Sequence, residues 1–211
     1  MLKKIRGIVK SLAVSFFFSF LVIFVVFLGF KDQINTMVSL INKMVIIEAK
    51  TSKKDIKIDK VEKRLVNYPS WGEEWAKLKI KDINLDIPVF HGDTLDIIKY
   101  GAGHYSGSYF PGEGSSIILA AHNSPEHFYH LPELKDGSEI VIEAVYGTYK
   151  YKVYDTKIIK DTDEESLPIQ TDKEILMMYT CYPVDSLGFK DKRFVVYAEL
   201  VSESVGGEHD K

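Results

Sequence analysis

Thr148-Tyr149-Lys150-Tyr151-Lys152-Val153-Tyr154 alternates between side chains suited to a core and side chains suited to water. A period of two predicts a β-strand with one buried face. Similar short runs, separated by turn residues, extend on both sides of this stretch. The predicted strands are Ala76–Ile80, Ile87–Phe90, Ser116–Ala121, Glu139–Ala144, Thr148–Lys160, Glu174–Thr180 and Arg193–Val201. Many short strands at this spacing predict a mainly β barrel or sandwich, with short helices at Leu95–Tyr100 and Glu126–Leu131.

The N-terminus has a different composition. Residues 11–30 contain no charged side chain and consist mostly of Phe, Val, Leu and Ile. A stretch of this length suits a transmembrane helix. Lys3, Lys4, Arg6 and Lys10 precede it, so the positive-inside rule predicts a single-pass plasma-membrane protein with residues 1–10 in the cytoplasm and the rest outside. The alternative is a cleaved signal peptide, which normally has a shorter apolar core and a small-residue cleavage site.

The segment after the apolar stretch is more polar. Its apolar residues Ile34, Met37, Ile41 and Met44 suit one face of a helix, and the charge-rich Lys53–Arg64 suits a solvated linker or weak helix. We therefore predict a stalk or linker helix over 31–70, a β domain over 71–201 and a flexible tail over 202–211.

Charge and cysteine content narrow the function. The formal net charge is −3, and no basic cluster suggests nucleic-acid binding. The chain has one cysteine, Cys181, which cannot form an internal disulfide. Outside the cell cysteines usually occur in pairs, so a lone one indicates either chemistry or a small buried hydrophobic residue.

Three polar residues stand at the ends of apolar runs. His122 follows Ser116–Ala121, Cys181 follows Ile175–Thr180, and Arg193 begins the last strand. A thiolate is the attacking form of cysteine, and a nearby imidazole can hold or exchange its proton. Arg193 would supply a planar set of donors for a developing oxyanion. This combination predicts nucleophilic catalysis.

An ordered series of motifs resembles the sortases, the membrane-anchored cysteine transpeptidases of Gram-positive bacteria. The motifs are Ile87-Pro88-Val89 with Gly92, Gly101-Ala102-Gly103-His104-Tyr105, Phe110-Pro111-Gly112, Ala121-His122-Asn123, Phe128 with Leu131, Thr180-Cys181-Tyr182-Pro183 and Arg193-Phe194-Val195-Val196. The resemblance implies a closed eight-stranded β-barrel with His122, Cys181 and Arg193 as catalytic residues. The interval from Cys181 to Arg193, together with Gly188, resembles class D.

The resemblance also implies the reaction. Sortases cleave a C-terminal sorting signal of the Leu-Pro-x-Thr type after its Thr, hold the acyl fragment as a thioester and transfer it to a cell-wall amine. The expected partners are therefore surface proteins, a lipid-linked cell-wall precursor and the membrane, with no nucleic acid and no cofactor. The expected substrate-binding residues are Thr180, Tyr182, Leu167 and Ile169.

Other interpretations remain open at this point. His122, His127 and His130 are close in sequence, but no ligand pattern for zinc completes them, so we expect no metal and place His127 and His130 on the surface of a short helix. The main alternative function is a membrane-anchored extracellular β-barrel binding module in which Cys181 is structural. An unrelated secreted cysteine protease would account for Cys181 and His122 but not for Arg193 or the anchor.

Overall fold

The structure is a computed structural model, and it describes residues 15–22, 24, 29, 55–59, 61–185, 188 and 190–205. The chain divides into two compact units, Met1–Ser52 and Lys53–Lys211. In the first unit residues 15–22 are helical. None of the helices in the described part of the chain combines the length and apolar character needed to cross a membrane. Most of the predicted anchor, residues 31–54 of the predicted stalk, and residues 206–211 of the predicted tail lie outside the described residues.

The described part of the second unit contains ten strands, one α-helix and three 3₁₀ helices. The strands are β1 (Lys57–Asp59), β2 (Arg64–Val66), β3 (Glu74–Ile80), β4 (Leu85–His91), β5 (Ala102–His104), β6 (Ser116–Ala120), β7 (Glu139–Ala144), β8 (Gly147–Lys160), β9 (Ile175–Tyr182) and β10 (Lys192–Val205). One α-helix, α1 (Leu95–Ile98), and three 3₁₀ helices (Lys81–Ile83, Phe128–Glu133, Glu164–Ser166) connect them.

Eight of these strands close into a barrel in the order β10-β8-β7-β3-β4-β5-β6-β9, which confirms the predicted architecture. The pairs β4/β5 and β6/β9 are parallel. The alternation in β8 is also confirmed, because Tyr149, Tyr151 and Val153 are 0%, 0% and 3% exposed whereas Lys150 and Lys152 are exposed.

A second, smaller apolar cluster lies on the outer face of the barrel. On β9 and β10 its members Met177 and Val195 alternate with inner-core residues such as Met178 and Val196. We call it the outer cluster, and its members are Ile118, Ile159, Met177, Val195 and Tyr197, with Leu167, Ile175 and Tyr179 packed against them. It covers part of the face that carries the candidate catalytic residues.

Two local predictions need correction. The second predicted helix is the 3₁₀ helix Phe128–Glu133, which contains Pro132; proline cannot donate to a helical hydrogen bond. Strand β5 was not predicted because Gly101-Ala102-Gly103 lacks the branched residues of a strand. The glycines are needed for close packing, since a Cβ on Gly101 would lie 2.3 Å from the carbonyl oxygen of Pro88.

In the charge-rich segment before the barrel, residues 57–59 and 64 lie in the strands of a β-hairpin, so the prediction of a linker or weak helix over Lys53–Arg64 is wrong there. Strands β1 and β2 pair antiparallel, and Ile56 and Leu65 are 7% and 5% exposed because they pack into the inner core. The carboxylate of Glu113 accepts hydrogen bonds from Leu65 N (2.9 Å), the Tyr68 hydroxyl (2.6 Å) and Phe110 N (2.8 Å). These bonds attach the hairpin to the loop before β6.

The hairpin lies at one end of the barrel. In the same loop before β6, Gly112 N and Gly114 N donate to the buried carboxylate of Glu174, at 2.9 and 3.1 Å. Glu174 precedes β9. Because β6 and β9 run parallel, their C-terminal ends, which lead to His122 and Cys181, are at the opposite end of the barrel.

Candidate active site

Three adjacent strands bring His122, Cys181 and Arg193 together. Cys181 on β9 pairs with Arg193 on β10. On the other side of β9, Ala120 pairs with Tyr179, and Ala121 N donates to the Tyr179 carbonyl at 3.4 Å, so the next residue, His122, stands beside Cys181. The alternation of the strands places all three on the outer face, next to the outer cluster.

Thr180 fixes the contact between two of these strands. Its side chain is 1% exposed, and its hydroxyl donates to the carbonyl of Ala121 at 2.9 Å. The bond joins Thr180, the residue before Cys181 on β9, to Ala121, the residue before His122. The structure therefore gives this hydroxyl a backbone partner, and its predicted contact with substrate stays a prediction.

The other predicted substrate-binding residues lie in two places. Tyr182 is partly buried, packs against the inner core and has its ring centroid 6.0 Å from that of Phe194. Leu167 packs against the outer cluster, and Ile169 in the same loop is 44% exposed. The hydroxyl of Tyr197 holds this loop by donating to the Ser166 carbonyl at 2.7 Å. The substrate contacts of all three stay predictions.

Arg193 is held by the ends of two loops. Its Nη1 donates to the carbonyls of Lys190 and Lys192 at 2.8 and 2.9 Å, and its Nη2 lies 3.8 Å from the carboxylate of Asp161. Asp161 N also donates to the Asp191 carbonyl at 2.9 Å, which joins the loop after β8 to the loop before β10. Arg193, the strand partner of Cys181, thus has a guanidinium whose orientation is set by backbone carbonyls. No local sequence pattern indicates this contact of Asp161, because β8 and β10 are neighbours in the barrel but far apart along the chain.

A second imidazole lies next to His122. The rings of His122 and His127 have centroids 6.4 Å apart with 62° between their planes. His127 Nδ1 is 2.8 Å from Ser124 Oγ, and His127 is partly buried. Burial lowers the pKa of His127, and the charge of His122 lowers this pKa further. His130 by contrast is 38% exposed and bonds Glu133 at 2.6 Å.

Comparison with known proteins decides the family. Residues 78–201 match the model of the Sortase domain. The chain belongs to the sortase family. It is 33% identical over 134 residues to Sortase D of Bacillus subtilis (strain 168). The aligned residues cover 64% of this chain and 67% of that relative. That relative agrees with the class D resemblance of the motifs.

Solved sortases share the fold. A Clostridium perfringens Sortase D5 transpeptidase has a TM-score of 0.57 at 22% identity, covering 64% of this chain and 83% of its own. Clostridium perfringens sortase C with the C-terminal cell wall sorting motif has a TM-score of 0.57 at 28% identity, covering 63% and 73%. Sortases are cysteine transpeptidases, so this chain is an enzyme of that kind.

Tyr179 shapes the surface of this sortase near the thiol. It lies two residues before Cys181, on the same face of β9, and packs against the outer cluster. Burial, followed by the charge of Asp93, raises its pKa to about 12, so the hydroxyl stays neutral at any working pH. Within residues 55–59, 61–185, 188 and 190–205, no group of three or more His, Cys, Asp or Glu side chains is placed to hold a metal ion.

Proposed function

We propose that this sortase is a membrane-anchored transpeptidase that cleaves a Leu-Pro-x-Thr-type sorting signal after its Thr and transfers the surface protein to a cell-wall amine. The observation that carries the proposal is the strand register around the candidate residues. Cys181 pairs with Arg193, and Ala120 pairs with Tyr179, two residues before His122 and Cys181 respectively. Thiol, imidazole and guanidinium are the groups that acyl transfer needs.

The first half of the reaction forms a thioester. The Cys181 thiolate attacks the Thr carbonyl, the carbonyl oxygen becomes an oxyanion, and the C–N bond to the next residue breaks. His122 as imidazolium gives its proton to the leaving amine and ends neutral. Arg193 lies across from Cys181, where its guanidinium can donate hydrogen bonds to the oxyanion.

Apolar residues around Cys181 support the choice of substrate. The outer cluster is buried beneath this part of the barrel, and Ile169, in the loop whose Leu167 packs against the cluster, is 44% exposed. An apolar surface suits the Leu and Pro of the sorting signal, since burying a Leu side chain contributes about 1.5–3 kcal/mol. The related Clostridium perfringens sortase C was solved with a cell wall sorting motif.

Membrane attachment is part of the same proposal. Residues 11–30 carry no charge, and basic residues precede them, which favours a single-pass plasma-membrane protein with an extracellular enzyme domain. The helical residues 15–22 support this because Phe16, Phe17, Phe18 and Phe20 are 59–77% exposed, an arrangement suited to lipid. Anchoring would confine the enzyme to the surface where the protein substrate and the lipid-linked amine meet.

Mass spectrometry tests the proposal. The enzyme is incubated with a Leu-Pro-x-Thr-Gly peptide library and a glycyl amine, and we expect a thioester on Cys181 and an amine-capped peptide, both missing in Cys181→Ala. A folded wild-type protein that forms neither product and leaves its thiol unreactive would contradict the proposal and favour the extracellular binding module.

A further inference from the structure

We propose that His127 is a second catalytic base, which binds the incoming amine and takes its proton while the amine attacks the Cys181 thioester. This inference rests on the proposed function. It starts from the position of His127, whose ring centroid is 6.4 Å from that of His122. A hydrogen bond of about 2.9 Å from each ring spans that gap, so an amine nitrogen placed between the rings is within reach of both.

The loop that carries His127 is fixed beside the thiol. Asn123 Nδ2 donates to the Val184 carbonyl at 2.9 Å, which joins this loop to the turn that follows Cys181 and Tyr182. Phe128 N donates to the His122 carbonyl at 2.9 Å, and His127 N donates to the Ser124 carbonyl at 2.9 Å. These two backbone hydrogen bonds form a tight turn between the two histidines, and the turn keeps His127 next to His122.

Hydrogen bonding determines which nitrogen of His127 is free to act as a base. Nδ1 lies 2.8 Å from Ser124 Oγ, and a hydroxyl oxygen can accept from Nδ1–H. In that tautomer Nε2 is the unprotonated nitrogen, and it is the one that the proposal assigns to the amine. The Ser124 hydroxyl thereby orients the ring, as a hydrogen-bond partner orients other catalytic histidines.

The proton balance of the full cycle can be written with such a base. In the first half His122 loses its proton to the leaving amine. In the second half the amine nitrogen bonds to the thioester carbon, its proton passes to His127 Nε2, and the C–S bond breaks to release the Cys181 thiolate. His127 is then protonated and His122 is neutral.

The site resets when His127 returns that proton to His122, its neighbour. The groups that face His127 favour this direction. Its partial burial and the charge of His122 both lower the pKa of His127, and Glu126 opposes them more weakly. A protonated His127 is thus a stronger acid than an ordinary imidazolium, and it gives up its proton readily.

The partition of the thioester between amine and water tests the proposal. The full-length chain is given a sorting peptide and increasing triglycine, and thioester formation, amide product and hydrolysed peptide are measured separately. In His127→Gln we expect unchanged thioester formation and a fall of about a hundredfold in the ratio of amide to hydrolysis, the usual contribution of a general base. Hydroxylamine should recover most of the transfer, because a less basic nitrogen loses its proton to water without help.

His130→Gln is the matched control. It changes the same side chain three residues away, where the imidazole bonds Glu133 on the surface, and we expect the wild-type ratio. Ser124→Ala removes the hydroxyl that orients the ring and should give an intermediate loss, so the test survives if His127→Gln fails to fold.

An unchanged ratio of amide to hydrolysis in His127→Gln, or an equal loss of thioester formation and amide product, would overturn the proposed role of His127. Neither result would affect the proposed function of the enzyme. A wild-type chain that forms no thioester would contradict the proposed function, and the role of His127 with it.

Discussion

Thr180→Val isolates one hydrogen bond beside the catalytic residues. Valine keeps the size and branching of threonine but cannot donate to the Ala121 carbonyl, which the hydroxyl now reaches at 2.9 Å in a buried position. A buried acceptor that loses its partner costs about 1–2 kcal/mol of unfolding free energy. At about 2–4 °C per kcal/mol for a domain of this size, Tm should fall by about 2–8 °C.

The same substitution should slow catalysis. The bond joins β9 to the residue before His122, so its loss lets His122 shift relative to Cys181. A misplacement of about 1 Å can cost about a hundredfold in rate, and we expect thioester formation to fall by about 10- to 100-fold on that basis. The peptide KM should stay near its wild-type value, because the hydroxyl acts on position and not on substrate.

Two assays read the outcome: thermal unfolding followed by circular dichroism, and stopped thioester formation followed by mass spectrometry. Thr180→Ser keeps the donor and is the matched control, with near-normal values in both. Wild-type Tm and rate in Thr180→Val would refute the positioning argument. A raised KM with unchanged kcat would instead support the predicted contact between Thr180 and substrate.

Three further predictions concern charge. Arg193→Lys should reduce turnover by about a hundredfold in a protein that still folds, because an ammonium cannot reproduce the planar donors at the oxyanion; near-normal turnover would count against the role. Burial lowers the pKa of His104 to about 3, so as the pH falls this histidine takes up a proton in the unfolded chain before it does so in the folded protein. Urea midpoints should therefore fall as the pH drops below about 6.5. A flat profile down to pH 4.5 would contradict this. Glu113→Gln should lower the unfolding free energy by about 2 kcal/mol, since one of the charge-assisted hydrogen bonds of Glu113 is lost. Glu62→Gln, at an exposed position, is the control and should show no change. Equal urea midpoints for the two variants would refute the stabilising role of the Glu113 bonds to the hairpin.

Much of the barrel could be predicted from the sequence because buried and exposed positions alternate between neighbouring residues of a strand. Tyr149, Tyr151 and Val153 alternate with lysines, and the structure buries those three. The positions of His122, Cys181 and Arg193 at strand ends were also predicted from the local pattern of apolar runs. That the three residues lie close together was predicted from the resemblance of the motifs to sortases.

The missed features depend on contacts between distant residues. The hairpin of β1 and β2 is rich in charged side chains, and its attachment relies on Glu113, 48 residues from Leu65. His127 carries no motif of its own; only the loop geometry places its ring near His122. Asp161 meets Arg193 through strand pairing, which no local pattern encodes.

The position of the hairpin has a mechanical consequence. The chain enters the barrel through β1 and β2, at the end opposite Cys181, and Glu113 and Glu174 fasten the loop at that end. A pull transmitted along the chain to residue 55 would load the hairpin and this loop first, and the strands that carry the catalytic residues last. The same attachment sets the boundary of any shortened enzyme: a fragment beginning at Tyr68 loses the buried Ile56 and Leu65, so a working fragment should begin before residue 55.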